Sequence, residues 1–232
     1  VTQDDELRQC RELLGRLSSE LTLAEERQRR ELAEHLHDHV GQALALLRRK
    51  LLTLRDRALF TGLEKDLDEL VDLSARTVHS IRSLSFDLSP PVLYELGLAA
   101  ALDWLAERHD GQEGVRVSFR AGARPAPPLE PDRRVLLYTS VRELLLNSLK
   151  HAAPNRVELE LWEEAGQVHA SVRDDGRGFE PAGLDPRRRN AGFGLFSIRE
   201  RVQSLGGSLR LDSAPGAGTR AELRIPVQEA PR

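Results

Sequence analysis

Asp174-Asp175-Gly176-Arg177-Gly178-Phe179 closes the run Val168–Asp174, which reads as a strand. Its carboxylates therefore emerge at a strand end, on a turn loosened by two glycines. A buried carboxylate there suits the exocyclic amine of a base such as adenine, although Asp-Gly is also an ordinary turn sequence. Downstream, Gly192-Phe193-Gly194-Leu195 opens the helical run Phe193–Leu205. Free backbone N–H groups and the positive end of a helix dipole at such a turn suit polyphosphate. A third turn, Gly216-Ala217-Gly218-Thr219, leads into the last strand and by itself fits a tight hairpin equally well.

Upstream, Asp132–His151 reads as a helix. With about 100° per residue and Glu143 at 0°, Asn147 falls near about 40°, Lys150 near about −20° and His151 near about 80°. Leu137, Val141, Leu144, Leu145 and Leu149 gather on the other side. A carboxylate, an amide, a cation and an imidazole thus share one stripe. A solvated polar face explains this stripe too. Oxygen donors such as Asn147, supported by Glu143, also suit Mg²⁺, and Lys150 suits a phosphate.

Further strands are expected at Val115–Phe119, Arg156–Trp162, Ser208–Leu211 and Thr219–Ile225, and a short helix at Gly97–Arg108. The stretch 125–131 is a Pro-rich connector. The pattern is α+β, a mostly antiparallel sheet with helices on one face.

The first 60 residues read as one long helix. Leu7, Cys10, Leu14, Leu17, Leu21 and Ala24 form a coiled-coil seam, which continues through Leu36, Val40, Leu44, Leu47, Leu51 and Leu54. Four-residue steps between Ala24 and Leu44 read as a stutter that widens the coil into a bundle. Thr61-Gly62 supplies a break, and Leu63 to Leu88 forms a second amphipathic helix that Ser89-Pro90-Pro91 ends. One hairpin cannot bury both faces, whereas two copies make a four-helix bundle.

Composition narrows the function. The 232 residues hold 34 Lys+Arg against 37 Asp+Glu, so no global charge draws nucleic acid. Ten aromatics (2 Trp, 2 Tyr, 6 Phe) are too few and scattered for a base-stacking platform. The lone Cys10 makes no intrachain disulfide, which favours a reducing compartment. No apolar run reaches the roughly 18 residues of a membrane helix. A chain without an initiator Met, already helical near its start, is expected to be a fragment with a sensor or membrane domain upstream. The Walker pattern is absent, which removes P-loop chemistry.

The order Glu…Asn on a helix, Asp-x-Gly-x-Gly after a strand, Gly-x-Gly-Leu before a helix, then Gly-x-Gly-Thr resembles the four nucleotide-binding boxes of the Bergerat-fold ATPases. That group includes gyrase, Hsp90, MutL and the histidine kinases. The resemblance covers about 113–228. It implies an α/β sandwich that binds ATP and Mg²⁺, with Asn147 on the metal and Asp174 on the adenine amine. Gly176, Gly178, Lys150, His151, Leu195 and Thr219 would line the nucleotide, Gly192 and Gly194 the triphosphate, and residues 180–191 would be a lid. Arg187-Arg188-Arg189 in that lid fit no pattern.

Glu31-Leu32-Ala33-Glu34-His35-Leu36-His37-Asp38-His39-Val40-Gly41-Gln42 in the first helix resembles the phosphoacceptor box of two-component histidine kinases. The branch is that of nitrate sensors and the membrane-fluidity thermosensor, with His-Asp/Glu-x-x-x-Gln. His35 and His39, four residues apart, would equally suit an adventitious Zn²⁺. Gly41, costly in a helix interior, suggests close approach of another group. Residues 81–105 resemble the same branch.

The resemblance implies a catalytic set of His37 as phosphoacceptor, Asp38 as its base, Gln42 positioning water for dephosphorylation, and Glu143. It further implies a homodimer, a response-regulator receiver domain as partner, and a cytoplasmic fragment of a protein that an inner-membrane anchor can tether. The expected organisation is a signalling coiled coil at 1–25, a dimerisation and phosphotransfer domain at 26–90, a linker with a short helix at 91–112, and an ATP-binding domain at 113–228. A degenerate dimeric scaffold and another Bergerat-fold ATPase or serine kinase are the competing readings.

Overall fold

The structure, a computed structural model, describes residues 3–57, 63–180 and 193–227. Two compact units divide the chain: Ala24–Pro91, and Val1–Leu23 together with Val92–Arg232.

In the unit Ala24–Pro91, the expected single helix is interrupted. Helix α1 spans Gln3–His35, a π turn spans Leu36–Gly41, and α2 resumes at Gln42–Arg57. A π turn bonds i to i+5 and so takes up one residue more than an α turn. The four-residue steps expected to loosen a coil over its length are absorbed locally in this way. Helix α3 spans Glu64–Leu88 and packs on α2. The break expected at Thr61-Gly62 lies outside the described residues. Glu26, 3% exposed, accepts a hydrogen bond from Ser89 Oγ at 3.0 Å, which ties the first and last turns of this unit together. Leu32, Leu46, Leu47, Leu54, Leu70, Leu73 and Leu84 remain exposed, so the apolar faces are left open by one chain.

The other unit is an α/β sandwich. Strands β1 (Arg116–Ala121), β2 (Arg156–Glu164), β3 (Gln167–Asp174), β4 (Ser208–Ser213) and β5 (Thr219–Pro226) form one sheet in the order β1-β2-β3-β5-β4. Only β1–β2 is parallel, as a crossover through helix α6 (Pro131–His151) requires. Alternation sends Val157, Leu159 and Leu161, Val168, Ala170 and Val172, and Leu223 and Ile225 into the core. Helices α5 (Leu98–His109), α6 and α7 (Phe193–Ser204) cover them.

Helix α4 (Pro91–Glu95) was not expected; Pro91 at its first position fits the fixed φ of proline. Residues expected to serve as linker belong to the sandwich core: Leu93, Ala101 and Leu102 are fully buried.

The opposite face of the sheet is polar. His169 Nδ1 lies 3.1 Å from Glu222 Oε1, and its ring stacks on Trp162 with centroids 4.9 Å apart. Burial pushes the Glu222 carboxyl up. Hydrogen bonds with His169 and Arg224 and the charges of Arg224 and Arg220 outweigh that, leaving it below the ordinary carboxylate value.

Residues 15–19 of α1 pack on this unit with a face of small residues. Ser18 Oγ and Ser197 Oγ are 3.2 Å apart, Ser19 Oγ and Ser204 Oγ 2.6 Å, and a methyl at Gly15 would meet the Glu200 carbonyl oxygen at 3.2 Å. Leu13, Leu14, Leu17 and Leu21 face outward.

Candidate nucleotide site and phosphoacceptor face

Helix α6 buries Leu137, Val141, Leu144 and Leu145 and leaves Glu143 and Asn147 half-buried, with Lys150 and His151 exposed. The stripe expected from periodicity is therefore present. The second glycine turn meets it: a methyl on Gly194 would lie 2.8 Å from Glu143 Oε1 and 3.7 Å from Asn147 Nδ2. Glycine is what lets the start of α7 approach the two polar groups. Burial pushes the Glu143 carboxyl above its ordinary value; the charge and hydrogen bond of Arg201, with the charge of Arg142, oppose part of that rise.

The first glycine turn stands on the same site from the sheet side. Asp174 is 5% exposed, so its carboxylate is held by hydrogen bonds rather than by water. Ser148 Oγ donates to Oδ2 at 2.9 Å and the Gly176 N–H to Oδ1 at 3.0 Å. Ser148 follows Asn147, so one helical turn addresses both ends of the site. A side chain on Gly176 would collide with the Ala152 carbonyl, and one on Gly178, at φ +58°, with that of Ala214. Thr219 pairs with Asp174 in the β3–β5 ladder, and its hydroxyl lies 3.1 Å from Ser213 Oγ. The third turn is thus adjacent to the first, with Gly218 at φ +72°. Leu195 packs against the core. Gly192 and residues 181–191 of the segment expected as a lid lie outside the described residues.

A half-buried amide and carboxylate beside a bare glycine Cα fit a phosphate-bound Mg²⁺, which takes few protein ligands and keeps its waters. Among the described residues no group of three His, Cys, Asp or Glu forms a metal cage. His35 and His39 are neighbours, with ring centroids 4.3 Å apart.

His37, Asp38 and Gln42 are exposed, the first two within the π turn and Gln42 just after it. π turns are frequent at functional sites. Within its own unit, a methyl at Gly41 would meet the Leu36 carbonyl oxygen at an ordinary 3.7 Å, so the helix itself does not demand glycine there.

Sequence reading missed Ser148, Ser213 and Arg201. Arg201 had a signal: Ile198, Arg201 and Val202 stand at i, i+3 and i+4, which puts a cation on the buried stripe of α7. Ser148 had none, since its partner Asp174 arrives from a distant strand, while Ser213 bonds Gly218 and Thr219 across the third turn and the Phe179 N–H after the first.

Residues 28–93 match the family model described as histidine kinase. Residues 132–229 match that of the histidine kinase-, DNA gyrase B- and HSP90-like ATPases. The chain is 30% identical over 213 residues to the oxygen sensor histidine kinase NreB of Staphylococcus carnosus, covering 89% of this chain and 58% of NreB. It is 32% identical over 212 residues to the signal transduction histidine-protein kinase/phosphatase UhpB of Salmonella typhimurium, covering 91% of this chain and 41% of UhpB. The chain thus spans about half the length of these relatives. The histidine kinase domain of a blue-light activated histidine kinase from Erythrobacter litoralis shares the fold, with TM-score 0.50, 21% identity, and coverage of 90% of this chain and 94% of that one. With a phosphoacceptor-type hairpin and a nucleotide-type sandwich each matched by its own family, the chain belongs to the sensor histidine kinases.

Proposed function

We propose that this chain transfers the γ-phosphoryl group of ATP to His37 and passes it to an aspartate on the receiver domain of a response regulator. The observation that carries the reading is the convergence of Glu143, Asn147 and Gly194, with buried Asp174 tied to the same helix through Ser148. In this reading Asp174 accepts from the adenine amine while Gly176, Gly178, His151, Leu195 and Thr219 line the nucleotide. Asn147 would hold Mg²⁺, which supplies charge neutralisation on the phosphates, with Lys150 adding a cation and Gly192 and Gly194 backbone donors. Glu143 supports the Asn147 side of the site.

His37 Nε2 attacks the γ-phosphorus in line; the P–N bond forms as the bond to the leaving ADP oxygen breaks, and Asp38 takes the Nδ1 proton. Gln42, one turn on, positions water when the regulator's aspartyl phosphate is hydrolysed, since a side-chain amide offers both donor and acceptor. The organisation proposed is 1–25 signalling helix, 26–90 phosphotransfer hairpin, 91–112 a connecting segment whose short helix packs into the sandwich core, and 113–228 catalytic domain. Its open leucine faces call for a homodimer. No helix among the described residues is long and apolar enough to cross a membrane. An upstream sensor, membrane-anchored or not, completes the proposed whole protein.

Calorimetry with ATP·Mg²⁺ tests the site. Asp174→Asn presents an amide donor to the adenine amine, and Asn147→Asp adds negative charge beside the phosphates. Each is expected to weaken binding about 10-fold or more, which is about 1.4 kcal/mol. Parent affinity in both variants would remove the site assignment.

A further inference from the structure

Arg201 is 6% exposed, on the buried side of α7. A guanidinium so placed must be paired. Its Nη1 donates to Ser140 Oγ at 3.3 Å, and its Nη2 to Glu143 Oε2 at 3.4 Å and Ser197 Oγ at 3.3 Å. Glu143 supplies its ion pair among the described residues. The other carboxylate oxygen, Oε1, is the atom against which Gly194 closes. Glu143 is thus held on one oxygen by Arg201 and presents the other to the glycine turn and the Asn147 side. Ser197 Oγ, which receives from Arg201, is itself 3.2 Å from Ser18 Oγ on α1. The contacts form one path: Ser18, Ser197, Arg201, Glu143.

We propose that Arg201 is a positioning residue for the phosphoryl-transfer site, fixing the Glu143 carboxylate beside Gly194 and Asn147, and that α1 reaches this carboxylate through Ser18 and Ser197. The proposal rests on the reading of Glu143 as part of the nucleotide site. Freed from Arg201, the carboxylate has rotamers that swing it away from Gly194, so the nucleotide still binds but the transfer geometry is lost. A change in the lie of α1 alters the Ser197 hydroxyl and, with it, one of the three bonds that orient the guanidinium.

The test is a double-mutant cycle on the full chain, reading ATP affinity by calorimetry, thermal midpoint without nucleotide, and label uptake at saturating ATP. Arg201→Met is expected to keep ATP affinity within about three-fold and to slow uptake about 10-fold, a split that marks lost transfer geometry rather than lost binding. Arg201→Lys restores a cation beside Glu143 and is expected to recover most of the rate. Glu143→Gln with Arg201→Met is expected to be no slower than Glu143→Gln alone, because residues acting through one another are not additive. Ser18→Ala is expected to slow uptake about two- to three-fold in the parent and not at all with Arg201→Met. If Arg201→Met does not fold, as its thermal midpoint will show, the cycle is run with Arg201→Gln, which keeps a polar side chain beside Ser140 but no cation for Glu143, and the same outcomes are expected.

Parent rate in Arg201→Met, or full additivity with Glu143→Gln, overturns the positioning role. Parent rate in Ser18→Ala overturns the path from α1. Parent rate in Glu143→Gln instead overturns the reading of the site beneath it.

Discussion

The hairpin Ala24–Pro91 and the sandwich use their apolar residues in opposite ways. Among the described residues of the hairpin, Ala33 and Val71 are the buried hydrophobics, and Leu46, Leu47, Leu70 and Leu73 stay exposed. The sandwich fully buries Leu102, Leu137, Leu145, Leu159, Ile198, Leu223 and Ile225 around one centre. Ordering a chain costs about 1–2 kcal/mol per residue, and a core of two small side chains offsets little of that. The proposed nucleotide site is therefore carried by a unit with its own core, and the proposed phosphoacceptor by one whose leucines stay open, as the proposed homodimer would bury them. The difference matches the roles proposed for them: a fixed pocket for ATP, and a helical surface whose packing an upstream signal can alter.

The widest separation comes from a charge on the open face. Leu70→Glu is expected to remove the dimer altogether in light scattering at micromolar concentration while ATP affinity stays at the parent value. A variant that remains dimeric would show that the exposed leucines are not the interface. In the sandwich, Leu145→Ala deletes a fully buried side chain and is expected to cost about 2–5 kcal/mol in urea unfolding, with no change in oligomeric state. A loss under about 1 kcal/mol would mean that the core collapses around the deletion.

A smaller effect separates functions within the hairpin. Gln42→Ala is expected to leave label uptake within a few-fold but to slow loss of label from the regulator about 10-fold, as for one positioning group worth about 1.4 kcal/mol. Equal loss of label in variant and parent would end the phosphatase assignment.

The smallest effects are two pH slopes within the sandwich. The Glu143 carboxyl lies above its ordinary 4.5 in the folded chain, so the folded state binds the extra proton. Its contribution is full below the unfolded value and is lost as pH rises through the raised folded value. The Glu222 carboxyl is held below 4.5, so its contribution is present above that value and is lost as pH falls through the lowered one. Urea midpoints across pH should show Glu143→Gln flattening the upper slope and Glu222→Gln the lower. One slope altered by both variants would contradict the assignments.

Much of this was legible because its causes are local. The strands announced themselves through period-two patterns and glycine turns, and α6 through the 100° spacing that gathers Val141, Leu144 and Leu145 opposite Glu143 and Asn147. What the sequence hid depends on contacts far apart in the chain. Ser148 becomes part of the site only because β3 delivers Asp174 to it, 26 residues on. The burial of α5 under the sheet turned an expected linker into core. The π turn at Leu36–Gly41 was foreshadowed by four-residue spacing, but that spacing alone does not distinguish a gradual unwinding from a local extra residue. Arg201 sat on a readable stripe, yet its partner Glu143 lies 58 residues earlier.

The central claim is that the exposed histidine of the hairpin receives the phosphoryl group bound by the sandwich. Incubating the chain with γ-labelled ATP·Mg²⁺, alongside His37→Gln, tests it most directly. The account predicts label that is acid-labile and base-stable on the parent and none on His37→Gln. Label retained by His37→Gln, on His35 or His39, or an acid-stable label on the parent would contradict it.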